Sequence, residues 1–233
     1  MIINILTVSD KGDKLKSKLM NMNLDDRHNI EVIRFPLVCS NYNNNKSDNN
    51  SCVKKSIFDN THECVRLGLL YDDYVCVMED DIIPNKHLNM ILLDCEEFLN
   101  NNSNIDMIFI TGHPNSRHSR YNEKFNKVKR ILHWTCIVFT RAYYENYVMT
   151  NNIKLPYGVH SDVYYNKYYK NDINAYVHKV SAGIQKMDRI IRKYEYGFLY
   201  NFRYKFRYGD PLNYFYVFIF IIIIIIIIIK IIR

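Results

Sequence analysis

The chain predicts an α/β fold, a mostly parallel sheet flanked by helices, ending in a C-terminal hydrophobic helix. Three observations carry that expectation. Short apolar runs alternate with helix-spaced segments along the first 140 residues. Those runs are continuous rather than alternating, as strands buried on both faces require. The last twenty residues, in contrast, form one nearly unbroken apolar stretch.

Taken in order, "INILTV" is a first strand, "DKLKSKLMNMN" a helix, and the β-branched "IEVIRFPLV" a second strand. "SNYNNNKSDNN" (residues 40 to 50) is too polar to bury and is expected as a flexible loop. Residues 55 to 70 then place Ile57, Thr61, Cys64, Val65 and Gly68 at helical spacing, ending near that glycine. "YVCVM" (74 to 78) is the next strand, followed by a helix over 85 to 100, a short Asn-rich loop, and strands at "IDMIFIT" (105 to 111) and "LHWTCIVFT" (132 to 140).

At 233 residues and 48% hydrophobic content there is room for one domain with a real core and a tail, and not for two enzymes. The organisation expected is a catalytic domain over 1–195, a basic aromatic linker over 196–212 and a membrane tail over 213–233. The net charge of +7 is spread without a long basic block before the last third, so it suits a phosphate-bearing substrate and gives no specific indication of nucleic acid. Six cysteines without a C-x-x-C pair argue against a structural zinc site and for reduced core thiols in a cytosol-facing protein. The first residues lack the basic start of a secretory signal and read as a strand. Over-use of Asn, Ile, Lys and Tyr follows from AT-rich codons and weakens compositional inference generally.

The chemistry concentrates in "YVCVMEDDIIP", where an apolar strand stops in Glu79, Asp80 and Asp81. Ligands of open α/β sheets bind outside the carboxyl ends of strands, where these acids lie. Capping of the next helix would account for one of them. Three crowded carboxylates raise one another's pKa unless a cation offsets them, and Mn2+ or Mg2+, sharing a substrate's phosphate oxygens, is the usual remedy. Glu79 and Asp81, two apart, form an acid-x-acid pair that points one way if the strand continues.

These pieces resemble GT-A type glycosyltransferases, and within them family 25, the lipooligosaccharide and collagen galactosyltransferase group. The resemblance rests on "SIFDNTHECVRLGLLYDDYVCVMEDDIIP", "HWTCIVFTRAYYENYV", "LPYGVHSDVYYNKYY" and "VSAGIQKMDR". It implies that Asp81 contacts the metal and the donor diphosphate, that Glu79 or Asp80 orients the ribose or the metal shell, and that Asp162 lies near the acceptor hydroxyl. The sequence departs from the family in its Asn-rich insertions and in carrying Arg141 and Ala142 where a glycine is usual.

Other residues have two readings each. Asp162 is either a helix cap or the general base of an inverting transfer. Asp10, after the first strand, either caps a helix or contacts the nucleotide. Arg117, in "HPNSRHSR", belongs to a basic loop that could hold phosphate. His160 and His178 are metal or phosphate contacts or structural histidines, and His178 is the third metal ligand expected beside Glu79 and Asp81. His62 reads as a packing residue and Trp134 as core.

"YFYVFIFIIIIIIIIIKIIR" approaches the length that crosses a bilayer, behind "YNFRYKFRYGD", whose basic and aromatic residues suit an interface. The competing reading is a low-complexity β-prone run. The function expected is metal-assisted transfer of a hexose from a nucleotide-sugar donor to a hydroxyl of a glycan, protein or lipid acceptor, on a single-pass tail with the catalytic domain facing the cytosol. The alternatives are a decayed, membrane-anchored interaction module and a metal-dependent phosphohydrolase or nuclease.

Overall fold

The computed structural model describes residues 1–7, 9–35, 46–111, 117–130, 135–150, 161–169 and 172–185. The linker and tail expected over 196–212 and 213–233 lie outside these, as do His160 and Trp134. Among the described residues no helix is long and apolar enough to cross a membrane.

β1 (Ile2–Thr7), α1 (Lys11–Met20), β2 (Asn29–Arg34), α2 (Lys46–Gly68) and β3 (Tyr74–Glu79) form the first half. β1 sits between β2 and β3 and is parallel to both. α1 therefore carries the chain to one side of β1, and α2 carries it back across to the other. α1 packs Leu15 and Leu19 on one face of the sheet, with Ile3, Ile5, Cys76 and Met78. α2 packs Cys64, Val65 and Leu69 on the opposite face, with Val75 and Val77. Alternate residues of β3 thus serve two cores, which explains why its sequence is continuously apolar.

The second half is β4 (Ile82–Pro84), α3 (Leu88–Asn100), β5 (Met107–Phe109), β6 (Arg117–Arg120), β7 (Phe125–Arg130), β8 (Cys136–Thr140), α4 (Arg141–Tyr143) with a π-helical turn Tyr144–Val148, α5 (Ser161–Tyr164) with a second such turn Tyr165–Tyr169, β9 (Ala175–His178) and β10 (Gly183–Gln185). The main sheet runs β2-β1-β3-β8-β5-β9-β7-β6, and β10 pairs with β4 in a separate two-stranded ribbon.

The sheet is mixed, which corrects the mostly parallel expectation. β1 with β2, β1 with β3 and β5 with β9 are parallel, whereas β8 runs against both β3 and β5, and β7 runs against β9 and β6. The error has a physical source. "CIVFT" is buried at all five positions, and burial on both faces is blind to strand direction.

Two further expectations shift. The helix predicted over 55 to 70 begins at Lys46, taking in the end of the Asn-rich tract. Gly68 is its last residue, where a Cβ would come within 2.3 Å of the Val75 side chain, so glycine lets α2 approach β3 closely. Arg117–Arg120 is an edge strand, not a loop.

Cys64, Cys76, Cys95 and Cys136 are buried free thiols, as expected. Burial pushes Cys64 up to about 12 and Cys95 and Cys136 well above the ordinary thiol value. Arg141 has a structural task. Its backbone N–H donates to the Asp73 carbonyl at 2.9 Å and its guanidinium donates to the Leu69 and Asp72 carbonyls at 2.9 and 3.2 Å, tying β8 to the turn before β3.

Candidate active site at the β1–β3 crevice

The strand order reverses at β1, because the connection leaving β1 goes to one side and the one entering β3 comes from the other. The crevice outside the carboxyl ends of β1 and β3 is the topological switch point where open α/β sheets bind ligands. β1 ends at Thr7 and β3 at Glu79, and Asp80 and Asp81 make the turn that follows.

That turn is fastened on each side. The Asp80 N–H donates to the Leu6 carbonyl at 3.1 Å and the Glu79 N–H to the Thr135 carbonyl at 2.9 Å, prolonging the ladder past β3. Beyond the turn, Ile82 stands opposite Gln185 in the β4–β10 ribbon. Asn85 extends that pairing, its backbone N–H donating to the Ala182 carbonyl at 2.9 Å and its amide to the Ser181 carbonyl at 2.7 Å, and the Ala182 N–H ties the ribbon to the sheet by donating to the Ile110 carbonyl at 2.7 Å. Strand β10, from near the end of the described chain, thereby backs the acidic turn, and a Cβ at Gly183 would come within 2.6 Å of the Ile83 carbonyl.

The capping alternative for these acids fails on geometry. β4 separates them from α3, whose N-cap position is His87, and the turn into that helix is held by Asn85 Oδ1 accepting from the His87 N–H at 2.9 Å. A cap must sit directly before its helix. Asp80 is instead oriented by Thr7, whose Oγ1 donates to Asp80 Oδ2 and accepts from the Ser9 N–H at 3.1 Å. The Thr7 hydroxyl is a functional group that the apolar reading of the first strand missed. Its signal was a hydroxyl residue ending a buried strand. Thr111, just past the carboxyl end of β5, and Thr135, just before the amino end of β8, are both buried with their hydroxyls 3.1 Å apart, and were missed for the same reason.

Burial first, then Asp81 and Asp80, hold the Glu79 carboxyl well above the usual carboxylate range. The crevice is composed of hard oxygen donors, which fits Mg2+ or Mn2+ rather than a softer ion, and a bound cation would favour the ionised form of Glu79. Among the described residues no group of three or more His, Cys, Asp or Glu closes into a metal-binding cluster. Glu79 and Asp81 would hold such an ion only together with oxygens brought by a substrate.

The remaining predicted residues divide. His178 does not join the acids: the Val180 N–H donates to its Nδ1 at 3.1 Å and its Nε2 faces Asp94 Oδ2 at 3.1 Å, so both ring nitrogens serve β9 and α3. Expected as the third metal ligand, His178 has its ring nitrogens in these bonds at the end of β9 and towards α3. Arg117 begins the edge strand β6, with five inter-strand steps of about 4.8 Å separating that strand from β3. Because β6 runs parallel to β3 in sense, through successive reversals at β8, β5, β7 and β6, its first residue lies at the amino edge, opposite the acids. The structure does not bring Arg117 to them. Asp10 follows β1 at the N-cap position of α1 with no side-chain cap bond; exposed, it pairs with Lys14 at 2.7 Å, which lowers its pKa. Asp162 is the second residue of α5, inside the first turn rather than before the helix. His62 is a packing residue, its Nε2 2.8 Å from the Tyr143 hydroxyl and its pKa lowered to about 4 by burial.

No family model matches the chain and no curated protein matches it. Among solved structures it is similar to A197 from STIV, at 13% identity over 80% of this chain and 85% of that one, with a TM-score of 0.42. It is similar to apo UDP-glucose pyrophosphorylase at 8% identity over 79% and 74%, with a TM-score of 0.38. A glycosyltransferase involved in the glycosylation of the major capsid of PBCV-1 is 12% identical over 76% and 91%, with a TM-score of 0.35. Likenesses this distant carry no argument, so function rests on the crevice itself.

Proposed function

We propose that the chain is a metal-assisted glycosyltransferase that moves a hexose from a nucleotide-sugar donor to a hydroxyl of a glycan, protein or lipid acceptor. The observation that carries this reading is the acidic turn at the β1–β3 crevice, fastened to the sheet and not used as a helix cap. The sequence resemblance to GT-A family 25 points to the same residues.

Asp81 and Glu79 would hold a divalent cation, Mn2+ or Mg2+, whose positive charge would ease departure of the nucleotide diphosphate. Asp80, aimed by Thr7, orients the ribose or the ligand shell, and Asp10 at the start of α1 is a contact for the nucleotide once Lys14 is displaced. The acceptor oxygen attacks the anomeric carbon as the bond to the diphosphate breaks, the electron pair leaving with the nucleotide. Asp162 takes the acceptor's proton as general base. Residues 213–233 anchor the chain in a bilayer, with the basic aromatic stretch 196–212 at its cytosolic surface.

A two-metal hydrolase on the same acids is disfavoured, because among the described residues the neighbouring strand ends present Thr111 and Thr135 rather than further carboxylates. The test separates binding from proton transfer. Asp81→Asn is expected to remove Mn2+-dependent thermal stabilisation by a panel of nucleotide sugars. Asp162→Asn keeps that stabilisation and slows transfer by about 10²- to 10⁴-fold. Stabilisation that survives Asp81→Asn sinks the site.

A further inference from the structure

We infer that the groove between α3 and the β6–β7 turn is a second binding site, for the neutral sugar units of a glycan, separate from the acidic crevice. It is a cavity of about 620 Å3, within the range of about 300–1,000 Å3 usual for small-molecule sites. None of its lining residues comes from β1, β3 or the acidic turn. The inference does not depend on the transfer chemistry.

Its platform is Tyr121, which is 49% exposed yet fixed in place. The Tyr121 ring centroid lies 4.9 Å from that of Tyr176 and 5.7 Å from that of Phe98. Phe98 is in turn stacked on Phe125 at 4.2 Å with the rings 12° from parallel. An aromatic ring held by other rings while open to solvent is preorganised to receive an apolar ligand face, with little ordering cost on binding. The C–H face of a pyranose is such a surface.

The rim supplies hydrogen-bonding groups suited to hydroxyls. Asn101 and Asn102 donate their amides to the Glu97 and Phe98 carbonyls at 2.8 Å each, leaving their amide oxygens as acceptors beyond those bonds. Asn122 Oδ1 accepts from the Lys124 and Phe125 N–H groups at 2.9 and 2.7 Å, which leaves its amide group to donate. Lys124 is clamped between Asp94 at 2.7 Å and Glu97 at 2.8 Å.

Charge selects the ligand class. Asp94, Glu97 and Glu123 line the groove against the Lys124 ammonium, with a second ammonium, that of Lys179, donating to the Asn122 carbonyl at its rim, so acids outnumber cations three to two. A nucleotide, phosphate or sulfated sugar meets repulsion there, whereas a neutral polyol meets acceptors, a donor amide and a ring.

The experiment is saturation-transfer difference NMR on the full chain in phosphocholine bilayer discs, with lactose, maltotriose and cellotriose as probes and a sulfated disaccharide as the anionic control. At least one neutral probe is expected to show transfer concentrated on its C–H face, and the sulfated control none. Tyr121→Ala weakens binding about tenfold or more, and Tyr121→Phe retains it. Asp81→Asn leaves the signal unchanged, which separates this groove from the crevice. The inference is overturned if no neutral probe gives transfer, if binding survives Tyr121→Ala in a variant with an unchanged melting temperature, or if the signal disappears in Asp81→Asn. The last result would place the sugar at the acids and leave the proposed transferase reading standing.

Discussion

Thr7 does more for the crevice than its place in an apolar strand suggested. Its hydroxyl both grips Asp80 and takes the Ser9 N–H, and its side chain is 2% exposed. Thr7→Val keeps the branched shape and removes both bonds. The variant is expected to lose about 1–3 kcal/mol, the range for a buried bond to a charged group. It should also lose Mn2+-dependent donor affinity, since Asp80 is then free to turn. Urea unfolding and a Mn2+ titration measure the two effects, and Thr7→Ser should restore the second. Unaltered affinity in Thr7→Val would mean that the bond is structural only. At this scale the acids were legible because three carboxylates after a buried strand are conspicuous. Thr7, Thr111 and Thr135 were not, since a hydroxyl within an apolar run looks the same whether it packs or orients a partner. Asp10 and Asp162 stay where the sequence put them, at helix starts, with the helix of Asp162 beginning at Ser161, two residues before the Val163 expected.

At the scale of elements, α1 connects the fold to the site through Gly12. A Cβ there would come within 2.6 Å of Thr7 Cγ2 and 2.9 Å of Val32 Cγ1. Gly12→Ala gains up to about 1 kcal/mol of helix propensity and loses more, about 1–3 kcal/mol, to overpacking. The displaced atom belongs to Thr7, so the strain is expected to weaken Mn2+ binding along with stability. A neutral outcome in both would show α1 loosely seated on β1 and β2. On the opposite face, α2 is docked to α4 through His62, whose ring rests 4.3 Å from Phe58 of its own helix and whose Nε2 lies 2.8 Å from the Tyr143 hydroxyl. Burial lowers the His62 pKa from the ordinary 6.5 to about 4, so its stabilising effect is complete above pH 6.5 and is lost as the pH falls towards 4. His62→Gln should flatten the stability profile over that window, which urea midpoints between pH 4 and 7 would register. The first-half elements were legible to within a few residues, apart from the early start of α2, since each is a long periodic or continuously apolar segment. Strands β6 and β7 were not: in "RHSRYNEKFNKVKR" β6 is the sheet's edge, where charged side chains oppose further pairing, and its neighbour β7 buries only Phe125 and Val128. β10 escaped notice because three residues carry no period.

At the scale of the whole molecule, strand direction is what the sequence withheld, and it matters for function. Reversal of β8 brings its start, at Thr135, to the same end as the close of β3, so the Glu79 N–H meets the Thr135 carbonyl and the acids are walled in by three strands instead of two. That enclosure buries Glu79 beside Asp80 and Asp81 and raises its pKa. The sign follows from linkage. A carboxyl whose folded pKa is raised contributes stability that is complete below its unfolded value and is lost as the pH climbs through the folded one. Folded protein should therefore grow less stable from about pH 5 upward on account of Glu79, and Glu79→Gln, which cannot ionise, should be spared. The difference between the melting temperatures of Glu79→Gln and the parent is expected to widen as pH rises from 5 to 8. Millimolar Mn2+ reverses the trend in the parent, because a bound cation favours the ionised carboxylates, and its stabilising effect should be greatest at the upper end of the range and much reduced in Glu79→Gln. A melting difference that stays constant with pH would show that Glu79 titrates as an ordinary carboxylate. In that case Glu79 would be neither desolvated nor crowded by Asp80 and Asp81, and the enclosed acidic site argued from those two effects would fall.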